Sequence, residues 1–313
     1  MHARGNQLGI YTTIYPAVLK YLPEWYQSVQ SQTDTEFELW IGLDALNRSD
    51  VEARLGFSIN AHWIQASPEN STPAQVRDHA LRLMTAANLD VVLVDSDDVL
   101  HPSRVASARQ ALTSSDLTAC ALEIVDEAGQ SLGSMFNLDP AMKPSQVLPG
   151  NNVFGFSNSA YRCELLARCL PIPRDAVLVD WYIATRAWLF GAELSFDHDV
   201  RMKYRQYDAN TARVRLPFWP DQILSDSMLV RKHFQLVLAS GGQDDFLPGR
   251  WAELLVVARD IEQFARYINQ SPANLNAYLD SLNRAVKQPI WWTSVAYSPL
   301  AHMWKQEETL CKR

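Results

Sequence analysis

The sequence has only four cysteines among its 313 residues: Cys120, Cys163, Cys169 and Cys311. Their spacing matches no zinc-binding motif, and four cysteines in a chain of this length do not form a disulfide framework. The cysteine content therefore argues against both a zinc module and a disulfide-stabilised scaffold. A reduced, cytoplasmic setting is the simplest interpretation.

Long apolar runs and excess positive charge are also lacking. No stretch approaches the roughly 18 uncharged apolar residues that suggest a membrane-spanning helix, and the N-terminal sequence lacks the charged-then-apolar pattern of a signal peptide. The net charge is −7, so no overall basic field would attract nucleic acid. We expect no membrane span and no nucleic-acid partner, and acidic side chains are available as metal ligands or bases.

Short apolar runs alternate with helix-like segments through the first two thirds of the chain. Runs that are apolar on both faces predict a mostly parallel sheet, because such strands are covered by helices on both sides. The expected fold class is therefore α/β. The predicted strands are residues 8–14, 37–43, 61–64, 90–94, 117–125 and 193–204.

Apolar residues at helical spacing predict helices between these strands. Thr72 and Pro73 form a helix start, and the character of the chain changes near residue 217. We expect a main domain at residues 1–216 and a helical extension at residues 217–313. The predicted helices are residues 19–29, 74–87, 163–169, 180–190, 221–238, 251–268 and 272–286, whereas residues 47–50 are predicted to be a loop and 142–150 an irregular connection.

Acidic residues follow two of the predicted strands. Asp95-Ser96-Asp97-Asp98 ends one apolar run, and Asp44 ends another. Neighbouring carboxylates repel one another unless they are solvated or neutralised by a cation, so a solvated turn and a metal site are both consistent with this segment. Mg²⁺ and Mn²⁺ prefer oxygen ligands, and ligands of open α/β sheets bind outside the carboxyl ends of strands. This position favours the metal site.

Several motifs, taken in order, resemble those of family 2 glycosyltransferases. LVDSDDVLHPSR at residues 93–104 looks like the D-x-D-D-x-x-x-P segment of that family, and NVFGFSNSAYR at 152–162 resembles its acceptor-side loop. The resemblance covers about residues 8–213. Its other parts are residues 8–15, Leu22 and SVQSQ at 28–32, residues 38–44, Arg77-Asp78, Val179-Asp180-Trp181, Gly191, Tyr204-Arg205-Gln206 and Asn210.

This resemblance implies a GT-A fold, which is Rossmann-like with helices on both faces of the sheet. It implies transfer of a sugar, with inversion, from a UDP- or dTDP-type nucleotide sugar to a hydroxyl acceptor that we expect to be a saccharide. It further implies Mn²⁺ or Mg²⁺ held by Asp97 and Asp95. The remaining implied roles are nucleotide binding by Thr12, Asp44, Arg77 and Asp95, general-base catalysis by Asp180, and acceptor-side contacts by Asn158 and Trp181.

Three positions differ from the family pattern. Leu43 precedes Asp44 where the family has a second acid, and Tyr15 stands in place of an asparagine. Tyr207 stands where a histidine often lies near the diphosphate, with His198 nearby in sequence. Base recognition could therefore be altered. At the metal, either Tyr207 replaces the histidine hydrogen bond or water supplies the third ligand.

Each assignment has an alternative. Asp180 could cap a helix, Asp44 could form a turn, Arg77 could be a surface charge and Trp181 could pack in the core. Two other functions remain open. A nucleotidyltransferase would need a glycine-rich phosphate loop near the N-terminus, and no glycine follows Gly9 there. An inactive nucleotide-sugar-binding protein would keep the acids without the activity.

The C-terminal sequence is rich in large aromatic residues, namely Trp291, Trp292, Tyr297 and Trp304. Packing of these rings onto the main domain is the favoured interpretation. The alternatives are a homo-oligomer contact and a peripheral contact with the inner face of a membrane, because tryptophan and tyrosine suit both kinds of surface.

Overall fold

The structure is a computed structural model that describes residues 7–65, 71–208, 210–214, 216–287 and 289–305. Within these residues nine strands form one sheet, and helices pack around it. Cys311 lies outside the described residues, and the other three cysteines are buried free thiols.

Strands β1 to β4 form the parallel part of the sheet, in the order β3-β2-β1-β4. The sheet continues through β8, β6, β9 and β5 with mixed directions, and β7 pairs with β6. The strands are β1 Gln7–Ile14, β2 Phe37–Leu43, β3 His62–Gln65, β4 Leu89–Leu93, β5 Val99–Leu100, β6 Leu117–Val125, β7 Ser131–Phe136, β8 Ser159–Tyr161 and β9 Leu194–Arg205.

Helices cover the sheet and build the C-terminal region. Helix α3 packs on β1, β2 and β4, whereas α4 packs on β6 and β9. Short 3₁₀ turns precede α1, precede α9 and follow α10. The helices are α1 Leu22–Gln30, α2 Arg48–Leu55, α3 Pro73–Ala86, α4 Arg104–Ala111, α5 Pro144–Val147, α6 Cys163–Cys169, α7 Val179–Leu189, α8 Pro220–Ala239, α9 Pro248–Gln270 and α10 Pro272–Ala285.

The long predicted elements are confirmed with small shifts at their ends, but the predicted loop at residues 47–50 is wrong. Helix α2 begins there, because the Asp50 carboxylate accepts a hydrogen bond from the Asn47 backbone N–H at 2.8 Å. Gly56, with a φ of 83°, ends the helix in the left-handed conformation that glycine adopts freely. Only Val51 of this helix is buried, so the apolar periodicity that reveals most helices is missing.

The C-terminal helices share one hydrophobic core with the sheet domain. Trp291, Trp292 and Trp304 are 4%, 6% and 6% exposed. The structure therefore has these rings packed within the molecule, as the favoured interpretation predicted. These rings offer almost no surface for an oligomer or membrane contact. Among the described residues, no helix is both long and apolar enough to cross a membrane. The division of the chain into two domains near residue 216 stays a prediction.

Candidate active site

A pocket of about 150 Å³ opens at the carboxyl ends of the parallel strands. Tyr15 follows β1 there, and Asp95 and Asp97 follow β4. Arg77 reaches the pocket from α3, and Asp180 reaches it from the first turn of α7. The structure therefore brings together four of the residues that the sequence predicted for metal, nucleotide and base roles.

Arg77 supplies positive charge among the acids of this site. Its guanidinium donates a hydrogen bond to Asp95 Oδ1 at 3.1 Å and lies 4.2 Å from the centre of the Phe156 ring. Its positive charge lowers the pKa values of Asp44, Asp95 and Asp180 against the effect of burial. Arg77 is thus not the isolated surface charge that was its alternative interpretation.

Asp95 is held from two sides. Its backbone N–H donates to Ser157 Oγ at 3.1 Å, and its carboxylate accepts from Arg77. Burial raises its pKa to about 6, with Arg77 acting against this shift and the charge of Asp97 adding to it. A further cation placed beside such a carboxyl group would stabilise its ionised form.

Asp97 is nearly buried and is bonded to the tyrosine that stands at the family's histidine position. Tyr207 Oη donates a hydrogen bond to Asp97 Oδ2 at 2.6 Å. Burial raises the pKa of Asp97, and this hydrogen bond partly offsets the rise. Tyr207 therefore supplies a hydrogen bond to the acid at this position.

Asp98, the third acid of the segment, has a structural role. Its carboxylate accepts hydrogen bonds from the Arg205 backbone N–H at 2.7 Å and from the Ser157 hydroxyl. The buried Arg205 side chain donates in turn to the Asp97 carbonyl at 2.8 Å and to Glu24 at 2.6 Å. These contacts fix the acidic turn against the end of β9 and leave Asp95 and Asp97 facing the pocket.

Asp180 lies in the first turn of α7, and Leu178 rather than Asp180 is the N-cap residue. Its carboxylate accepts a hydrogen bond from Asn152 Nδ2 at 3.2 Å. Burial raises its pKa to about 6, although a hydrogen bond from the Trp181 backbone N–H and the charge of Arg77 both lower the pKa. A half-buried carboxylate with a pKa near neutrality is suited to accept a proton from a substrate hydroxyl.

Asp44 and Thr12, which were both predicted to bind the nucleotide, differ in their exposure. Asp44 is half-buried at the end of β2, its backbone N–H donates to the Ile14 carbonyl at 2.9 Å, and Arg77 is close enough to lower its pKa. Asp44 can therefore meet a ligand at this edge of the sheet. Thr12 is completely buried within β1, so its predicted contact with the nucleotide is wrong.

The acceptor-side assignments also need correction. Asn158 is completely buried and donates to the carbonyls of Cys120 at 2.7 Å and Val153 at 3.1 Å. Trp181 is completely buried too, stacked against His233 with ring centres 4.3 Å apart. Neither side chain can touch an acceptor. Both support the site from inside, as the core-packing alternative for Trp181 proposed.

The structure adds aromatic residues that the sequence did not assign to the site. Tyr204, Trp291 and Trp292 line the same pocket as the acids. Tyr204 belongs to a segment that the resemblance identified, so its sequence carried a signal. The two tryptophans come from the distant C-terminal region, and nothing in the local sequence indicated that they fold back to the strand ends.

The residues present fit a divalent metal that is shared with a substrate. Asp95 and Asp97 supply oxygen ligands whose mutual repulsion a cation would relieve. Among the described residues, no group of three or more His, Cys, Asp or Glu side chains is arranged to hold an ion by itself. Mg²⁺-type ions commonly take one or two carboxylates together with phosphate and water. This donor set suits an ion that arrives with a diphosphate.

Comparison of the sequence with protein-family models and with curated proteins gives no match. Solved structures do match. The mannosyltransferase PcManGT from Pyrobaculum calidifontis, in complex with GDP-Man and Mn²⁺, gives a TM-score of 0.57 at 15% identity over 96% of this chain and 80% of its own. S. aureus TarS in complex with UDP-GlcNAc gives 0.55 at 17% identity over 83% of this chain and 74% of its own. TarS with UDP gives 0.52 at 17% identity over 90% and 75%.

This likeness shows the fold. The chain has the fold of these structures, which confirms the predicted α/β class and its C-terminal helical region. At identities of 15–17%, donor, acceptor and stereochemistry have to be argued from this chain's own residues.

Proposed function

We propose that this protein is a glycosyltransferase that moves a sugar from a nucleotide-diphosphate sugar to a hydroxyl acceptor, with inversion. The observation that carries the proposal is the meeting of Asp95, Asp97, Arg77 and Asp180 in one pocket at the strand ends. This pocket combines groups suited to a metal–diphosphate with a separate carboxylate of raised pKa. The glycosyltransferase structures of the same fold add support.

The donor end of the proposed reaction involves Asp95, Asp97, Arg77 and Asp44. Mn²⁺ or Mg²⁺, held by Asp97 and Asp95, would neutralise charge on the departing diphosphate. Asp95 would also contact the ribose, and Arg77 adds positive charge beside Asp95. Asp44 would accept hydrogen bonds from the base. We propose a UDP- or dTDP-type donor, although the matching structures hold both GDP-Man and UDP-GlcNAc.

Asp180 would act as the general base. Its carboxylate takes the proton of the acceptor hydroxyl while that oxygen forms a bond to the anomeric carbon of the donor sugar. The bond between this carbon and the diphosphate oxygen breaks, and its electron pair leaves with the nucleoside diphosphate. Because the acceptor attacks opposite the leaving group in a single displacement, the anomeric configuration inverts and one base suffices. The proposed acceptor is a saccharide.

Calorimetric titration with UDP, dTDP, GDP and ADP, in Mn²⁺ and in EDTA, tests this function. We expect one or two nucleotides to bind only with the metal, and the matching nucleotide sugar to be slowly hydrolysed. Asp97→Ala should lose the metal-dependent part of binding, whereas Asp199→Ala, which changes an exposed acid of β9, should keep it.

Each other result has a clear meaning. Equal nucleotide affinity in Mn²⁺ and EDTA, for both wild type and Asp97→Ala, would remove the metal assignment. Metal-dependent binding without turnover of any nucleotide sugar would favour an inactive binding protein. Release of pyrophosphate from a nucleoside triphosphate and a sugar phosphate would favour a nucleotidyltransferase.

A further inference from the structure

The C-terminal segment Ile290–Ser294, here called the aromatic wall, closes one side of the candidate active site. Trp291 and Trp292 of this wall line the same pocket as Asp95, Asp97 and Asp180. Each of the two tryptophans is less than 10% exposed, although both border the pocket. The wall is therefore part of the site, although it lies far from the acids in sequence.

Trp292 is the outermost ring of an aromatic stack. His233 lies parallel to Trp181 at 4.3 Å, and Trp181 lies parallel to Trp292 with ring centres 6.1 Å apart and planes at 15°. His233 and Trp181 are buried, and only Trp292 borders the pocket. The stack fixes the plane of Trp292 from behind.

The backbone of the wall is also fixed. Trp292 has a φ of 62°, a left-handed conformation that non-glycine residues adopt at a cost and that clusters at ligand-binding sites. Ser294 Oγ donates to Asp226 Oδ2 at 2.5 Å, and Tyr278 Oη donates to the Ser294 carbonyl at 3.1 Å. Such anchoring holds a strained residue in one orientation.

Gly155 sets the position of the neighbouring ring. A Cβ atom at this residue would collide with the Trp291 ring, so the close approach of the wall requires glycine. Gly155 directly precedes Phe156 and Ser157, which contact Arg77 and the acids Asp95 and Asp98. The wall and the loop that holds the acids are thus packed directly together.

We propose that Trp292 is the platform on which the acceptor pyranoside packs, with Trp181 supporting it from behind. The apolar C–H face of a pyranose is weakly positive and complements the negative face of an indole ring. Trp292 stacks on the residue that follows Asp180, which places it beside the proposed base. The same pocket is lined by Asp95, Asp97 and Tyr207, which are suited to a diphosphate. This inference rests on the proposed glycosyl transfer.

The test compares Trp292→Leu and Trp292→Phe with wild type, using methyl α- and β-D-glucopyranoside and -mannopyranoside as acceptor probes. The donor is the nucleotide sugar that wild type hydrolyses. Trp251→Leu is the control, because Trp251 stacks on Phe246 in the same C-terminal region and does not line the pocket. The readouts are nucleotide affinity, donor hydrolysis by water, KM for the glycoside and melting temperature.

Trp292→Leu should raise KM for the effective glycoside by about tenfold and change nucleotide affinity much less. Trp292→Phe keeps a ring and should raise KM by only about threefold. The Phe variant decides the question if the Leu variant does not fold.

Unchanged KM in both variants would overturn the proposal. A parallel loss of hydrolysis, affinity and melting temperature would overturn it too, by indicating a packing role. If wild type hydrolyses a donor but no glycoside accelerates nucleotide release, the platform is not for pyranosides. Failure of wild type to bind or hydrolyse any nucleotide sugar would instead refute the proposed function itself.

Discussion

The proposed chemistry depends on the carboxyl group of Asp180. It accepts a hydrogen bond from Asn152, and burial raises its pKa to about 6. Asp180→Asn keeps the size of the side chain but removes its basicity. Transfer should fall by roughly 10²–10⁴-fold, the range for general-base catalysis, while nucleotide affinity stays near wild type. Single-turnover transfer and calorimetry measure the two effects separately.

Asp175→Asn is the matched control, because Asp175 is an exposed acid close in sequence that pairs with Lys232 outside the pocket. Its turnover should be that of wild type. The wild-type rate should also decline as the pH is lowered through about 6, where Asp180 takes up a proton. Turnover of Asp180→Asn close to wild type would refute the catalytic role.

Which acids meet could be predicted from the sequence, but which residues lie exposed in the pocket could not. Asp95 and Asp97 follow one apolar strand and line the pocket. Asp44 follows another strand and is not among the lining residues, although parallel strand ends lie at one edge of a sheet. Thr12 and Trp181 sit in motifs beside the site, yet both are completely buried. Their exposure depends on packing from distant elements such as α8, which carries the His233 that stacks on Trp181.

At the scale of elements, the acidic turn after β4 divides into a structural half and a half that faces the pocket. Asp98 ties the turn to β9 through the Arg205 backbone and to Ser157. Asp98→Ala would leave the buried Arg205 N–H without this partner and the Ser157 hydroxyl with only its 3.4 Å hydrogen bond to Asp95. A buried donor without a partner costs about 1–3 kcal/mol. Asp97→Ala removes a carboxyl whose pKa is already raised by burial, so it should change the free energy of unfolding much less.

Urea denaturation of the two variants measures this contrast. We expect a clear fall in the midpoint for Asp98→Ala and a small change for Asp97→Ala, with Asp98→Asn between them. A larger loss of stability for Asp97→Ala than for Asp98→Ala would reverse the two assignments.

The aromatic wall shows why elements far apart in sequence escaped prediction. The sequence indicated that Trp291 and Trp292 pack onto the main domain, but not where. Their position depends on Gly155, where the absence of a side chain admits the Trp291 ring, and on the hydrogen bond from Ser294 to Asp226 of α8. Local periodicity carries no information about contacts of this kind.

At the scale of the whole molecule, helix α7 makes the C-terminal region part of the fold. Almost every residue of α7 is buried, because the helix packs against α6, α8 and α9. A fragment of residues 1–216 would expose the apolar surface of Trp181 that His233, Phe234 and Trp292 cover. We expect this fragment to be insoluble or to lack a cooperative thermal transition. A fragment that melts cooperatively would establish residues 1–216 as an independent domain.

The acids of the site also make global stability depend on pH. Burial raises the pKa values of Asp95 and Asp180 to about 6, and those of Asp97 and Asp98 in the same direction. The folded protein therefore binds protons more tightly than the unfolded chain, and the contribution of these groups to stability falls as the pH rises from about 4 to about 6. The pKa of buried His233 is lowered to about 3, so its contribution to stability rises as the pH rises from about 3 to its ordinary pKa.

Because His233 is common to wild type and Asp180→Asn, the difference between their melting temperatures isolates the effect of one carboxyl. At pH 4 wild-type Asp180 is protonated in the folded state, since its pKa is about 6, and the two proteins should melt together. Above pH 6 wild type carries a penalised charge that the amide lacks, so Asp180→Asn should melt higher by about 1–3 °C. Scanning calorimetry between pH 4 and pH 8 measures the difference. Asp175→Asn should differ from wild type by a nearly constant amount across this range, because pairing with Lys232 lowers the pKa of Asp175 below its ordinary value and its carboxylate stays ionised. A melting difference for Asp180→Asn that is constant across this range would mean that Asp180 is not held against ionisation, and the argument for a base of raised pKa would fail with it.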